Sequence, residues 1–220
     1  MEARAILFDL DGTLVDSLPG IEFSVDCALA ACNLPKRSRE LRPLIGPPIR
    51  VILHQLVPEL EDAELSNLER AFRSSYDSDG WSKTVLHDGA LASLEKLRSA
   101  GLPLFLVTNK PAAPTRQIMD GLNLGDLFVD VVCRDSRVPS YQSKAEMLRE
   151  VLVRHRLDPA ACLYVGDTLE DDRAAQEAGI PVAIVAHGYG EPLGPGHSPG
   201  CTSLGTLNEL LSLIEVMEMS

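Results

Sequence analysis

Apolar residues along this chain fall into two rhythms. Four short unbroken runs, Ala5-Ile6-Leu7-Phe8, Leu104-Phe105-Leu106-Val107, Leu163-Tyr164-Val165 and Val182-Ala183-Ile184-Val185, each end in small or polar residues. Such compact runs predict strands buried on both faces of a parallel sheet. Phe128 to Cys133 predicts a weaker fifth. Between the runs, apolar positions recur at helical spacing: Leu91, Leu94 and Leu97 before Gly101, then Met147, Leu148, Val151 and Leu152 before His155, then Ala174, Ala175 and Ala178 before Gly179. Gly101 and Gly179 read as C-terminal stops, because glycine enters the left-handed conformation without a Cβ penalty. Alternating strands and helices predict an α/β fold, a parallel sheet flanked by helices on both faces.

One interval breaks the alternation. From Asp16 to His87 no convincing strand is visible, only helical stripes such as Ile21, Val25, Leu29 and Leu65, Leu68, Phe72, Tyr76. A crossover needs only about a dozen residues, so this stretch predicts an inserted α-helical subdomain. The expected division is a core of residues 1–15 and 88–220 and a helical unit of 16–87. Gly188 to Gly200, rich in Gly and Pro, predicts a surface loop, and Thr206-x-x-Glu209 is a capping-box pattern that opens a final helix.

Composition narrows the partners. The chain has 220 residues, 45% of them apolar and 24% charged, which suits a globular protein with a sizeable core. Its 20 Lys and Arg against 32 Asp and Glu leave a net charge of −12. A general nucleic-acid or anionic-membrane partner needs a basic face, so both are excluded as expectations, whereas a small phosphorylated substrate is not. No apolar run reaches the roughly 18 residues of a membrane span, and Met1-Glu2-Ala3-Arg4 does not open a signal-peptide layout, so a cytoplasmic protein is expected. The five cysteines contain no Cys-x-x-Cys, which argues for buried free thiols over disulfides or a zinc site.

Ligands of open parallel sheets bind beyond the carboxyl ends of the strands. There the sequence places Asp9-Leu10-Asp11-Gly12-Thr13, Thr108-Asn109 and Gly166-Asp167-Thr168 with Asp171. Crowded carboxylates either raise their pKa values or bind a hard cation, and an oxygen-rich set without nearby His or Cys favours magnesium. Asp9 and Asp11, two apart at a strand end, can face one cavity, one attacking while the other handles protons, and Gly12 lets the backbone turn beneath a ligand. Thr108 and Asn109 would donate to phosphoryl oxygens or cap the helix after Pro111. Ser143-x-x-Glu146 would put Lys144 in the first turn of a helix, where a cation opposes the helix dipole unless it faces an anion.

The ordered set Asp9-x-Asp11-Gly12-Thr13-Leu14-Val15-Asp16-Ser17, Thr108-Asn109-Lys110, Lys144 and Gly166-Asp167-Thr168-x-x-Asp171 resembles the four motifs of the haloacid dehalogenase-like hydrolases. The resemblance spans nearly the whole chain and implies a Rossmann-like core with a helical cap inserted after the first motif. Within that family the chain looks most like phosphoglycolate phosphatases and related 5′-nucleotidase-like or pyrophosphatase-like members, and Ile45-Gly46-Pro47-Pro48-Ile49 resembles their caps. It implies Asp9 as the nucleophile of an aspartyl-phosphate and Asp11 as the acid and base. Magnesium would be held by Asp9, the Asp11 backbone carbonyl and Asp167, with Asp171 in or near the shell. Thr108 and Lys144 would orient and neutralise the phosphoryl group, with Asn109, Gly12 and Thr13 beside the substrate.

Departures from the family pattern carry information too. Lys144 lies in Ser-Lys-Ala and not Lys-Pro-x-Pro, and Leu86-His87-Asp88-Gly89 replaces an aromatic-Pro-Gly where the chain returns to the core. An acid at position 11 argues for a phosphatase over carbon-halogen cleavage, and Leu18-Pro19-Gly20-Ile21 lacks the histidine of the related sugar-phosphate mutases. Arg50 is a candidate for an anionic part of the substrate, while His54 and His87 read as structural. Gly188-x-Gly190 follows a strand, but no helix opens after it, so it reads as a loop and not a dinucleotide site. The expected activity is magnesium-dependent hydrolysis of a small, phosphoglycolate-like phosphomonoester. Nucleotidase and pyrophosphatase activities are alternatives within the family, and a catalytically silent binding module is the alternative outside enzymes. The sequence leaves the oligomeric state open.

Overall fold

A computed structural model describes residues 5–37, 40–191, 194 and 196–218. Met1 to Arg4 and, within the predicted loop, Pro192, Leu193 and Pro195 lie outside the described residues. The main sheet is parallel throughout, in the order β5-β4-β1-β6-β7-β8, with β1 Ala5–Phe8, β4 Leu104–Thr108, β5 Asp130–Cys133, β6 Cys162–Gly166, β7 Val182–Val185 and β8 Thr202–Leu204. Every predicted strand is present. β8 is the addition: a three-residue edge strand that pairs through its backbone with β7 and buries only Leu204, too little apolar surface to register as a run.

Successive side chains of β1 face opposite sides of the sheet, and the sequence supplies apolar residues for both. Ile6 and Phe8, with Leu104 and Leu106, pack against α4 (Ala90–Ser99), α5 (Ala112–Gly121) and α8 (Leu210–Glu218). Ala5 and Leu7, with Phe105 and Val107, pack against α6 (Lys144–His155) and α7 (Leu169–Ala178). The direction of strand succession reverses between β1 and β6, so the residues after these two strands flank the crevice where α/β sheets bind ligands.

A third apolar cluster lies off the sheet among α1 (Leu18–Ala31), α2 (Ile49–Leu56) and α3 (Asp62–Ser78), and it uses the residues of the predicted stripes: Ile21, Val25, Leu29, Leu65, Leu68, Phe72 and Tyr76. The chain enters and leaves this helical region side by side, through an antiparallel pair of two-residue strands, β2 (Val15–Asp16) and β3 (Val85–Leu86). That pair corrects the strand-free reading of the interval; two residues carry no periodicity for a sequence to display. Thr206 and Glu209 form the predicted reciprocal cap at the turn leading into α8. Ser143 caps α6 by accepting from the Glu146 N–H, but the Glu146 carboxylate bonds the Gln142 N–H instead of returning to Ser143. All five cysteines are free, yet only Cys133 and Cys162 are buried, and Cys27 lies exposed on α1. No described helix is long and apolar enough to cross a membrane.

Candidate active site

The carboxyl ends of β1 and β6 bring Asp9 and Asp167 together, and the first turn of α7 adds Asp171; one oxygen from each lies within 4.8 Å of the others. Lys144, the first residue of α6, sends its ammonium into this cluster, 2.6 Å from Asp171 Oδ1 and 3.2 Å from Asp9 Oδ2, with its side chain only 2% exposed. A lysine that opposes its helix dipole is thus held by two buried anions. Burial alone would drive its proton off, but Asp171 and Asp9 outweigh that cost and shift its pKa upward.

The acids differ in how the protein treats them. Both oxygens of Asp171 are occupied: Oδ1 accepts from Lys144 and from the Tyr164 hydroxyl at 2.9 Å, and Oδ2 accepts from the Thr168 hydroxyl at 2.7 Å and the Thr168 and Asp167 N–H groups. These donors and Lys144 overcome burial and hold its pKa below the usual carboxylate range. Asp171 is a brace at the rim of the cluster. Asp9 is the opposite case. Burial pushes its pKa well up, Lys144 opposes this, and Asp171, Asp167 and Asp11 add to the rise. Its Oδ1 is buried without a hydrogen-bond partner among the described residues. Asp167 is raised to about 7 by burial and then by Asp171, even though it accepts from the Tyr189 N–H at 2.7 Å and the Thr13 hydroxyl at 3.3 Å. An orphaned buried oxygen on one of two neighbouring raised acids is what a cation site shows before its cation is added, and the all-oxygen donor set suits a hard ion.

Asp11 turns away from this cluster. Its carboxylate accepts both bonds of a close pair with Lys110 Nζ, at 2.9 and 3.1 Å, and the ammonium also sits 4.7 Å from the centre of the Tyr76 ring on α3. Burial disfavours the Lys110 charge, but Asp11 and Tyr76 more than compensate and raise its pKa. Asp9, Asp11, Thr108 and Asn109 all line one cavity of about 130 Å³, closed on its far side by Ile45, Ile49, Phe72 and Tyr76 of the helical region. Thr108 is fully buried at the end of β4, and its hydroxyl accepts from the Lys110 N–H. Asn109 donates across the crevice to the Gly46 carbonyl at 3.3 Å and to Glu170 at 2.9 Å. Its amide is thus committed to joining the helical region to the core.

Three expected substrate contacts take other places. Gly12 has φ +83° and lies where a Cβ would fall 2.2 Å from Asp167 Oδ2 and 2.8 Å from the Tyr189 ring, so its backbone conformation and its two neighbours already require glycine. Thr13 is fully buried and braces Asp167. Arg50 does not line the cavity: it bonds Ser66, Glu69 and Asp62 of α3. α2 starts at Ile49, and Ile49 and Ile52, three apart, turn to the cavity, which points Arg50 elsewhere. Lys110 and Tyr189 are the residues whose roles the sequence did not announce. Lys110 had a usable signal, since Asp11 and Lys110 follow neighbouring parallel strands. The partners of Tyr189 lie up to 173 residues away, and nothing local predicts them.

The description haloacid dehalogenase-like hydrolase matches residues 6–185. The chain belongs to that family. A phosphoglycolate phosphatase of Vibrio vulnificus (strain CMCP6) is 31% identical over 202 residues, covering 87% of this chain and 88% of that one. A crystal structure from Haemophilus somnus 129pt, described as a predicted phosphoglycolate phosphatase, superposes with a TM-score of 0.87 at 26% identity, over 97% of this chain and 98% of that one. The Mycobacterium tuberculosis protein tyrosine kinase A superposes with a TM-score of 0.81 at 28% identity, over 97% and 98% of the two chains. Activity therefore has to be argued from the site of this hydrolase and not from its fold.

Proposed function

We propose that the protein is a magnesium-dependent phosphatase that hydrolyses a small phosphomonoester of the phosphoglycolate class, with residues 16–87 serving as a cap over a core of 1–15 and 88–220. The observation that carries this reading is Asp9: buried, 3.2 Å from Lys144, clustered with Asp167, with one oxygen unpartnered among the described residues, in the lining of the cavity beneath the helical region. The similarity to named phosphoglycolate phosphatases supports the substrate class. The same reading places the protein in the cytoplasm.

An oxygen of Asp9 attacks phosphorus, the bond from phosphorus to the ester oxygen breaks, and that oxygen takes a proton from Asp11. Asp11 then accepts a proton from water as the water oxygen attacks phosphorus. The bond to Asp9 breaks, which frees phosphate and restores the carboxylate. Lys144 offsets charge on Asp9, and Thr108 offers its hydroxyl at the cavity wall. Lys110 holds Asp11 in its place. Asp9, Asp167 and the Asp11 backbone carbonyl would hold magnesium, with Asp171 at the rim; when bound it supplies positive charge to the phosphoryl oxygens and to the crowded acids. The cap closes off water, which strengthens these interactions.

Cavity size favours a compact ester. A cavity of about 150 Å³ admits a benzene-sized molecule, so the roughly 130 Å³ here matches the phosphoryl end and a short carbon chain, and a larger leaving group would extend out of it. The test is a substrate panel with magnesium: phosphoglycolate, a nucleoside monophosphate, pyrophosphate and an aryl phosphate, each with Asp9→Asn alongside. The expected result is turnover of the compact monoesters and a fall in kcat of at least about 10³-fold in the variant. Wild-type-like turnover by Asp9→Asn would remove Asp9 from the role of nucleophile.

A further inference from the structure

The segment after β7, His187-Gly188-Tyr189-Gly190, holds the Gly-x-Gly that reads as a loop in the sequence, and it has no part in the chemistry above. It runs directly against Asp167. A Cβ at position 188 would fall 2.2 Å from the Asp167 Cβ and 2.4 Å from its Oδ2, and one at position 190 would fall 2.0 Å from the Asp167 carbonyl oxygen. Real Cβ atoms do not make such approaches, so both glycines are there to let the segment lie on that residue. Between them the Tyr189 N–H donates to Asp167 Oδ2 at 2.7 Å.

The other end of Tyr189 reaches the root of the cap. Its hydroxyl donates to Asp16 Oδ1 at 2.8 Å and accepts from the Ser17 N–H at 2.8 Å and the Leu18 N–H at 3.0 Å. Helix α1 begins there, and the Ser17 side chain makes no capping bond to it. The Leu18 N–H also donates to Asp16 Oδ1 at 3.1 Å, so the phenol caps the Ser17 N–H from 172 residues away and shares Leu18 with Asp16. Arg42, also on the cap side, donates to the Gly188 carbonyl at 3.0 Å and lies 5.6 Å from the centre of the Tyr189 ring. The ring packs in the apolar cluster of the cap. One residue thus fixes a carboxylate of the acidic cluster with its backbone and grips the point where the cap leaves the core with its side chain.

We propose that Tyr189 is a positioning residue that couples the seating of the cap to the orientation of Asp167, and through it to cation binding. The coupling rests on the reading of Asp167 as a cation ligand. Because coupling between two sites is reciprocal, magnesium must tighten the cap root, and loosening the root must weaken magnesium. Tyr189→Phe removes the hydroxyl and its three bonds while leaving the ring and the N–H to Asp167 in place.

The experiment measures magnesium binding to the full-length apoprotein by calorimetry, together with hydrogen exchange of the Ser17 and Leu18 amides with and without magnesium. The expected result is that magnesium slows exchange at both amides in the wild type, and that Tyr189→Phe binds magnesium at least about fivefold more weakly and loses that protection at Ser17, whose only acceptor among the described residues is the phenol. A purely structural role would lower the melting temperature and leave magnesium affinity where it was. Wild-type protein that binds magnesium while Tyr189→Phe stays within twofold of its affinity overturns the coupling alone. Wild-type protein that binds no magnesium overturns the cation site, and the coupling with it. Should Tyr189→Phe fail to fold, the exchange measurement on the unaltered protein still decides, since unchanged protection of Ser17 and Leu18 on magnesium binding overturns the proposal.

Discussion

Two buried lysines at the carboxyl edge of the sheet, Lys144 and Lys110, each hold a carboxylate, but they belong to different halves of the site. Lys144 is surrounded entirely by core elements: α6 carries it, β1 and α7 carry Asp9 and Asp171, and Tyr164 of β6 backs the cluster. Lys110 pairs with Asp11 from the core but rests against Tyr76 of the cap, and its neighbour Asn109 bonds Gly46 of the cap. The first, permanent half is made by core elements alone. The second is completed by Tyr76 and Gly46 of the helical region proposed as the cap. The proposed chemistry divides along the same line: the nucleophile lies in the permanent half and the acid and base lies in the half that the cap completes, while Asp167 is tied to the cap root through Tyr189. On the proposed mechanism, proton transfer at Asp11 is thereby tied to the part of the cavity that the helical region covers, where a phosphoryl group meets less bulk water.

Breaking the permanent half has the largest expected effect. Lys144→Ala leaves Asp9 and Asp171 buried without their cation, and removing one partner of a buried ion pair costs about 3–5 kcal/mol. Loss of a preorganised charge at the reacting phosphoryl group lowers kcat about 10²- to 10³-fold. Denaturant unfolding and steady-state kinetics on one preparation check both. A variant with wild-type stability would show that the cluster is not the charge-locked unit described above.

Lys110→Met tests the other half and should separate from Lys144→Ala in kind. Asp11 keeps 17% of its side chain in solvent, so it is not stranded when Lys110 goes, and the stability loss is about 1 kcal/mol. Asp11 loses the partner that fixes its direction, and kcat falls roughly tenfold or more, within what a displaced acid and base costs. If the two lysine variants lose equal stability, the division into a permanent and a cap-completed half does not hold.

The acidic cluster gives this comparison a pH dependence. Burial and Asp171 raise Asp167 from 3.8 to about 7 in the fold. Between those values the folded state keeps a proton that the unfolded state has lost, so stability falls as pH rises through that window. Metal-free protein should therefore melt at lower temperature at pH 8 than at pH 5, and magnesium should raise the melting temperature more at pH 8 than at pH 5. A magnesium effect equal at both would mean that the ion loads elsewhere.

Legibility in the sequence followed position on the sheet more than this division. Asp9, Asp11 and Asp167 lie within three residues of the ends of apolar runs, and the sheet forces strand ends to one edge, so periodicity alone locates them. Lys144 showed itself through the Ser143 cap, a local signal. The hydrogen bonds that tie cap to core were not legible, because each depends on tertiary geometry: Asn109 meets Gly46 at a separation of 63 residues, and Tyr189 meets Ser17 at 172. β8 and the β2–β3 pair were invisible because they are held by backbone bonds with few apolar side chains.

Arg50 marks the limit of local inference and yields the smallest expected effect. An arginine two residues after Gly46-Pro47-Pro48 reads as a cap residue facing the substrate, yet α2 presents Ile49 and Ile52 to the cavity and sends Arg50 to Asp62 and Glu69. Glu69 also holds Arg73, and although its own burial opposes this, the two guanidinium groups keep its pKa lowered. Arg50 is 41% exposed, so these are solvent-screened pairs of about 0–1 kcal/mol. Arg50→Ala should keep kcat/KM for the preferred phosphomonoester within about twofold and cost no more than about 1 kcal/mol of stability. A rise of tenfold or more in KM with unchanged kcat would mean that Arg50 swings into the cavity during turnover, and that the cap takes a different seat when substrate is bound.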